Sequence, residues 1–109
     1  MKKILYLLSK NTRYEDLNVF VRWLLHYYKI IPSLVIMSKT EYIKNYTSYN
    51  LTSKKPLDWE NEYFIRSSEY PKEIIQYNLD WEDAVMTCNN IYDRKLQEFK
   101  YYYDGVKLI

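Results

Sequence analysis

A stripe of apolar residues near the end of the chain does most to limit the fold. Trp81, Ala84, Val85, Cys88, Tyr92, Leu96, Phe99 and Tyr103 follow one another at spacings of one helical turn, with Ile91 alongside. A helix is the structure that gathers such residues on one face, so a long amphipathic helix is predicted from Trp81 onward. Asp80 suits its N-cap, and Asp83 puts a carboxylate in the first turn, where the helix dipole favours negative charge. Gly105, the single glycine, is placed for a left-handed C-terminal cap, with Val106 to Ile109 as a final edge strand. So long an apolar face needs a surface to pack on, and the 48% of apolar residues in this 109-residue chain supply one.

Residues 2 to 8 are apolar after Lys2 and Lys3 and stop at Ser9, which predicts a short buried strand rather than a leader or a membrane span. Thr12-Arg13-Tyr14-Glu15 has the form of a capping box, in which hydroxyl and carboxylate satisfy the free amides of a first helical turn. Leu17, Phe20, Val21, Leu24, Leu25 and Tyr28 would form the core face of that helix. Val19, Trp23 and Tyr27 make a second stripe beside it. The helix is therefore either buried on two sides or carries an exposed aromatic ridge, which leaves a homodimer open.

Pro32 breaks the pattern, and Leu34-Val35-Ile36-Met37 reads as a second buried strand. Another cap pattern follows, Ser38-Lys39-Thr40-Glu41, opening a shorter helix with Tyr42, Ile43, Tyr46 and Tyr49. Residues 52–56, TSKKP, read as a loop. Tyr63-Phe64-Ile65 and Ile74-Ile75 read as extended segments separated by Ser67, Ser68 and Pro71. Strands followed by capped helices predict one small α/β domain over residues 1–109. It would have a β-α-β-α start, a short and partly parallel sheet, and a long C-terminal amphipathic helix.

In such a sheet ligands bind beyond the carboxyl ends of the strands, which directs attention to the loops after the first two. Both loops combine hydroxyls with a lysine: Ser9, Lys10, Thr12 and Arg13 in one, Ser38, Lys39 and Thr40 in the other. Placed at helix N-termini on neighbouring strands, they would form a rim for an anion. The plainer reading is a pair of ordinary helix caps, and neither loop has the glycine that a phosphate-cradling loop requires.

The residues for catalysis are few. His26 is the single histidine and has no carboxylate at helical spacing on its own side, so it reads as a boundary residue. Cys88, the single cysteine, lies on an apolar stripe and reads as a small core side chain. One cysteine also excludes an internal disulfide framework or a cysteine zinc cage, which fits a reducing cytoplasm. A metal site of carboxylates alone could draw on Glu60, Glu62, Asp80 and Asp83, but nothing fixes their geometry. No metal, no cofactor and no enzymatic chemistry is expected.

Charge is unevenly distributed. Residues 1–57 carry 10 Lys and Arg against 3 Asp and Glu, a net of +7, while residues 58–83 carry 2 against 8, a net of −6. The acidic block contains the tetrapeptide LDWE twice, at Leu57 to Glu60 and Leu79 to Glu82, interleaved with tyrosines. The second copy reads as a helix start, because the apolar stripe continues from Trp81. The first reads as a contact segment, because Glu62 and Arg66 break any helical period.

Aromatic rings beside carboxylates suit a protein-binding surface: the rings supply contact area at low entropy cost, and the charges steer a basic partner. The sequence therefore points to a small non-enzymatic protein that engages a basic protein partner. Its expected contact residues are Trp59, Glu60, Glu62, Tyr63, Tyr70, Asp80 and Glu82. The Ile-, Lys- and Asn-rich usage matches AT-rich genomes, and small inhibitors encoded by viruses and mobile elements fit this class. The viral form would act in the host cytoplasm. The alternative uses the basic half as an anion-binding module for nucleic acid or a nucleotide. Lysines outnumber arginines twelve to four, which favours phosphate attraction over base reading.

Overall fold

A computed structural model of the chain describes residues 1–46, 60–70 and 73–103, with the side chains of residues 43–46 outside that description. The chain forms two compact units: residues 1–32 with 89–109, and residues 33–88.

The first unit is helical. Helix α1 spans Lys2–Ser9, a single 3-10 turn spans Tyr14–Asp16, and α2 spans Val19–Tyr27. Leu5, Tyr6 and Ser9 are buried, while Ile4, Leu7 and Leu8 face solvent. The predicted first strand is thus a helix. A short apolar run does not reveal its period. Here four of its five residues are Leu or Tyr and just Ile4 is β-branched, so helical propensity and a one-sided burial pattern prevail.

The predicted capping box also fails as a helix start. The Thr12 hydroxyl donates to the Lys10 carbonyl at 3.2 Å, and α2 begins six residues later, where Asn18 Oδ1 accepts the Phe20 amide at 2.7 Å. The core of this unit joins Leu5, Tyr14, Leu17, Val21, Leu25, Ile31, Leu96 and Phe99. Phe20, assigned to the core face by spacing, is 63% exposed and stacks on Trp23 at 6.3 Å, which stacks in turn on Tyr27 at 5.0 Å. The second stripe is therefore an exposed aromatic ridge.

The second unit holds the sheet. Strand β1 spans Leu34–Ser38, α3 spans Lys39–Tyr46, β2 spans Tyr63–Ser67 and β3 spans Ile74–Leu79. The strands lie in the order β1-β2-β3 and both pairings are antiparallel, with Ile36 opposite Ile65 and Met37 opposite Phe64. The partly parallel sheet predicted from sequence is absent because its first strand is a helix, and no βαβ crossover can then be built on it. Phe64, Ile65 and Arg66 are all buried, as expected of a central strand covered on both faces. The β2/β3 register shifts between Tyr63↔Leu79 and Ile65↔Gln76, and in that interval Asn78 takes a left-handed φ of 64°.

Helix α4 runs Trp81–Tyr103, as the stripe predicts, and Asp80 Oδ1 accepts the Asp83 amide at 2.8 Å. It contributes Trp81 to Cys88 to the second unit and Asn89 to Tyr103 to the first. The predicted Gly105 cap, the final strand 106–109, Tyr49, the 52–56 loop and Pro71 lie outside the described residues. Left-handed backbone occurs at Asn11, Lys29 and Asn78. Two are asparagines, which tolerate the conformation. Lys29 takes it where α2 ends, with the Ile30 and Ile31 amides turned back to the Leu25 carbonyl.

Candidate functional sites

In the second unit the structure brings Tyr63 and Glu82 to Trp81 at the start of α4, whereas Tyr70 lies in the turn between β2 and β3, at the opposite end of those strands. Trp81 is 54% exposed, and its ring meets that of Tyr63 edge-on at 5.3 Å. Beside it Glu82, Val85 and Met86 line a shallow depression of about 350 Å³. Tyr63 is half-buried and stands on β2 opposite both Ser38 and Leu79, so the sheet holds it and it in turn supports Trp81. Glu60, Tyr70, Tyr77, Asp80 and Glu82 are exposed. Trp59 lies outside the described residues.

Two of the predicted contact carboxylates have structural partners. Asp80 caps α4. Glu62 reaches the N-terminus of α3, where its Oε1 accepts the Thr40 amide at 3.2 Å and the Thr40 hydroxyl at 2.9 Å. Those bonds, with the charge of Lys39, hold the Glu62 carboxyl below its ordinary range. Ser38 Oγ accepts the Glu41 amide at 3.0 Å, as a capping hydroxyl should. Thr40 thus gives both its donors to the chain's own Glu62, with Lys39 nearby, while Ser38 is engaged as the helix cap.

The other predicted loop, Ser9 to Arg13, follows a helix and lies in the first unit, so the expected rim over neighbouring parallel strands is not formed in that way. Ser9 is buried, and its hydroxyl is spent on the Tyr6 carbonyl at 3.1 Å. Lys10 and Arg13 instead line a concavity of about 430 Å³ together with Tyr6, Gln97, Lys100 and Tyr101. Thr12 shares this wall, and its carbonyl accepts from the Lys100 ammonium. Lys100 is 8% exposed, and desolvation lowers its pKa, partly opposed by the charge of Asp93. Lys10 Nζ lies 5.9 Å from the centre of the Tyr6 ring. No carboxylate is among the described lining residues.

Lys100, Gln97 and Tyr101 were not expected in a site. A signal was present: Lys100 follows Leu96 by one helical turn on the apolar stripe itself, and a lysine at a core position requires a reason.

His26 is half-buried between two acceptor-donor contacts. Its Nδ1 faces the Ile31 carbonyl at 3.2 Å, which can accept but not donate, so Nδ1 carries the proton in the neutral ring. Nε2 then accepts from the Tyr14 hydroxyl at 2.6 Å. Burial lowers the pKa of His26. Tyr14 in turn donates its amide to Asp93 Oδ1 at 2.8 Å, and its carbonyl accepts from Arg22 Nε at 3.1 Å. This network joins α2 to α4, so His26, half-buried at the boundary of α2 as its spacing suggests, has a structural role there. Cys88 is buried, and desolvation raises its thiol to about 11, far from a nucleophile's range.

Among the described residues no cluster of three or more His, Cys, Asp or Glu is placed to hold a metal ion, and no helix is long and apolar enough to cross a membrane. Comparison with protein-family models, with curated proteins and with solved structures gives no match.

Proposed function

We propose that the chain is a small binding protein that captures a basic protein partner through the acidic, aromatic face at the start of α4. The observation that carries this reading is Trp81: a large ring left more than half exposed, braced by Tyr63 and bordered by an apolar depression and carboxylates. An aromatic anchor next to a pocket is the usual centre of a protein interface, and surrounding charge sets the association rate and the choice of partner. Glu60 and Glu82 are the candidate contacts at this face, together with Trp59, while Tyr70, exposed in the β2–β3 turn at the other end of the strands, stands apart from it. Asp80 and Glu62 belong to the scaffold that holds them.

A basic partner of this kind includes nucleases and other nucleic-acid-handling proteins. The chain would act as their inhibitor or antagonist in a reducing cytoplasm, as a product of a virus or mobile element. The test is partner capture by immobilised chain at increasing salt. A partner retained by the wild type should be lost at least tenfold with Trp81→Ala, and with the pair Glu60→Lys and Glu82→Lys, while Lys95→Ala retains it. Equal retention by all variants, or retention that salt does not weaken, removes the proposal.

A further inference from the structure

We infer that the concavity between α1, the following loop and the last turns of α4 is a binding site for a phosphate monoester carried on a planar ring, with a nucleoside monophosphate as its simplest form. This site is independent of the acidic face and belongs to the other unit.

Charge is the first ground. Lys10, Arg13 and Lys100 converge on one concavity whose described lining contains no carboxylate. Low-dielectric walls around charges of one sign concentrate counter-charge within them. A phosphate monoester at neutral pH carries roughly −1.5 to −2, which three cations can match. A triphosphate carries more negative charge than three cations match, and the described lining offers no carboxylate to hold a divalent counter-ion beside it.

Lys100 is the second ground. Burying a lysine costs free energy unless the ammonium gains partners, and an ammonium has three hydrogens to donate. Among the described residues one of them is accounted for, by the Thr12 carbonyl, and no ion pair is formed. The depressed pKa follows from the same burial and agrees with a cation held ready for an anion. The ion pair that engages Arg13 is with Asp16 at 3.6 Å, with both side chains mostly in water, and such a pair is readily exchanged for a phosphate.

Size and shape identify the remainder of the ligand. A volume of about 430 Å³ lies within the range of small-molecule sites and exceeds what a bare phosphate fills. The Tyr6 ring stacks on Tyr103 at 6.0 Å and has the Lys10 ammonium 5.9 Å from its centre, so it serves as wall. Tyr101 is 48% exposed at the lip and presents a ring on which a planar group can stack, while Gln97 adds an amide able to donate and accept.

Isothermal titration calorimetry of the full chain with the four ribonucleoside 5′-monophosphates tests this. Inorganic phosphate, the unphosphorylated nucleosides and a short single-stranded oligonucleotide serve as separate arms. At least one monophosphate should bind tenfold or more tightly than inorganic phosphate and than its own nucleoside. Lys100→Met should weaken it about tenfold or more, a loss on the scale of one charge-assisted hydrogen bond. Because Lys100 also holds the Thr12 carbonyl, the exposed pair Lys10→Ala and Arg13→Ala provides a second variant that the fold does not require, and it should cause a similar loss. Tyr101→Ala should weaken the monophosphate and leave inorganic phosphate unchanged.

Tighter binding of the oligonucleotide, lost in the same variants, supports the same chemistry and assigns its source to a nucleic-acid strand. The proposal is overturned by an absence of monophosphate binding, by equal binding of phosphate and monophosphate, or by variants that bind as the wild type does.

Discussion

At Lys39 and Thr40 the chain supplies its own anion: Glu62 reaches across and takes the two donors of Thr40. At Lys10 and Arg13 the chain's own anion is Asp16, paired with Arg13 largely in water, and a third cation, Lys100, joins them at a cavity without a carboxylate in its described lining. The two segments are nearly the same in sequence, Ser-Lys-Asn-Thr and Ser-Lys-Thr, yet one is satisfied from within and the other is left to attract something from outside. Local sequence thus specifies the donors, while the far residues the fold brings to them, Glu62 in one case and Lys100 in the other, decide whether they cap a helix or form a site.

Core substitutions should give the largest effects and test whether the halves of this comparison stand on separate foundations. Phe64→Ala in the second unit and Leu25→Ala in the first each empty a fully buried position and should each cost about 2–5 kcal/mol. Amide hydrogen exchange would show where the loss falls. If each substitution lowers protection mainly in its own unit, the two devices can be studied apart; uniform loss across both would show that the chain unfolds as one and that neither can be varied alone.

Glu62→Gln should cost about 0.5–1 kcal/mol, kept small by the exposure of the group, because it removes a charge from the N-terminus of α3. The carboxyl titrates below its ordinary value of 4.5, so the unfolded chain takes up the proton first. The stabilisation is therefore complete above that value and disappears as pH falls through the lower folded pKa. Denaturant melts of wild type and variant should converge in acid. A gap that persists there would mean that the carboxylate is not what holds Thr40.

His26 provides the matching test in the first unit at milder pH. Its folded pKa lies below the ordinary 6.5, so the unfolded chain binds a proton that the folded chain resists. Stability should fall as pH drops below about 6.5, and the fall should stop once the folded pKa is passed. His26→Gln should flatten that slope, and a slope unchanged in the variant would assign it to another group. The smallest effect is expected at Lys29. Its left-handed backbone costs a non-glycine residue roughly 1–2 kcal/mol, part of which Lys29→Gly should recover as a modest rise in melting temperature, offset by the greater freedom of glycine in the unfolded chain.

Where a physical signal ran through many residues, it could be read directly. The stripe from Trp81 to Tyr103 is a helix with Asp80 as its cap, because a one-turn period sustained over that length has no other structural solution. The shorter extended readings at Leu34 to Met37, Tyr63 to Ile65 and Ile74 to Ile75 fall within strands that run on to Ser38, Ser67 and Leu79, and Ser38 caps α3 as its hydroxyl and spacing suggest. Where the signal was short, it misled. Residues 2 to 8 are apolar in a way that suits a buried strand or a half-buried helix equally. Thr12 and Glu15 have the right spacing for a cap, but Asn18 provides the cap instead.

The antiparallel pairing of β1 with β2, the role of Glu62 as an internal anion and the arrival of Lys100 beside the loop of Lys10 and Arg13 each depend on residues at least 22 positions apart. The sequence by itself determined the periodic elements, their caps and the separation of basic and acidic segments, because these depend on neighbours within a few turns. The tertiary structure alone decided which donors are satisfied and which are left facing a cavity, because that depends on which distant side chain packing brings into hydrogen-bond range.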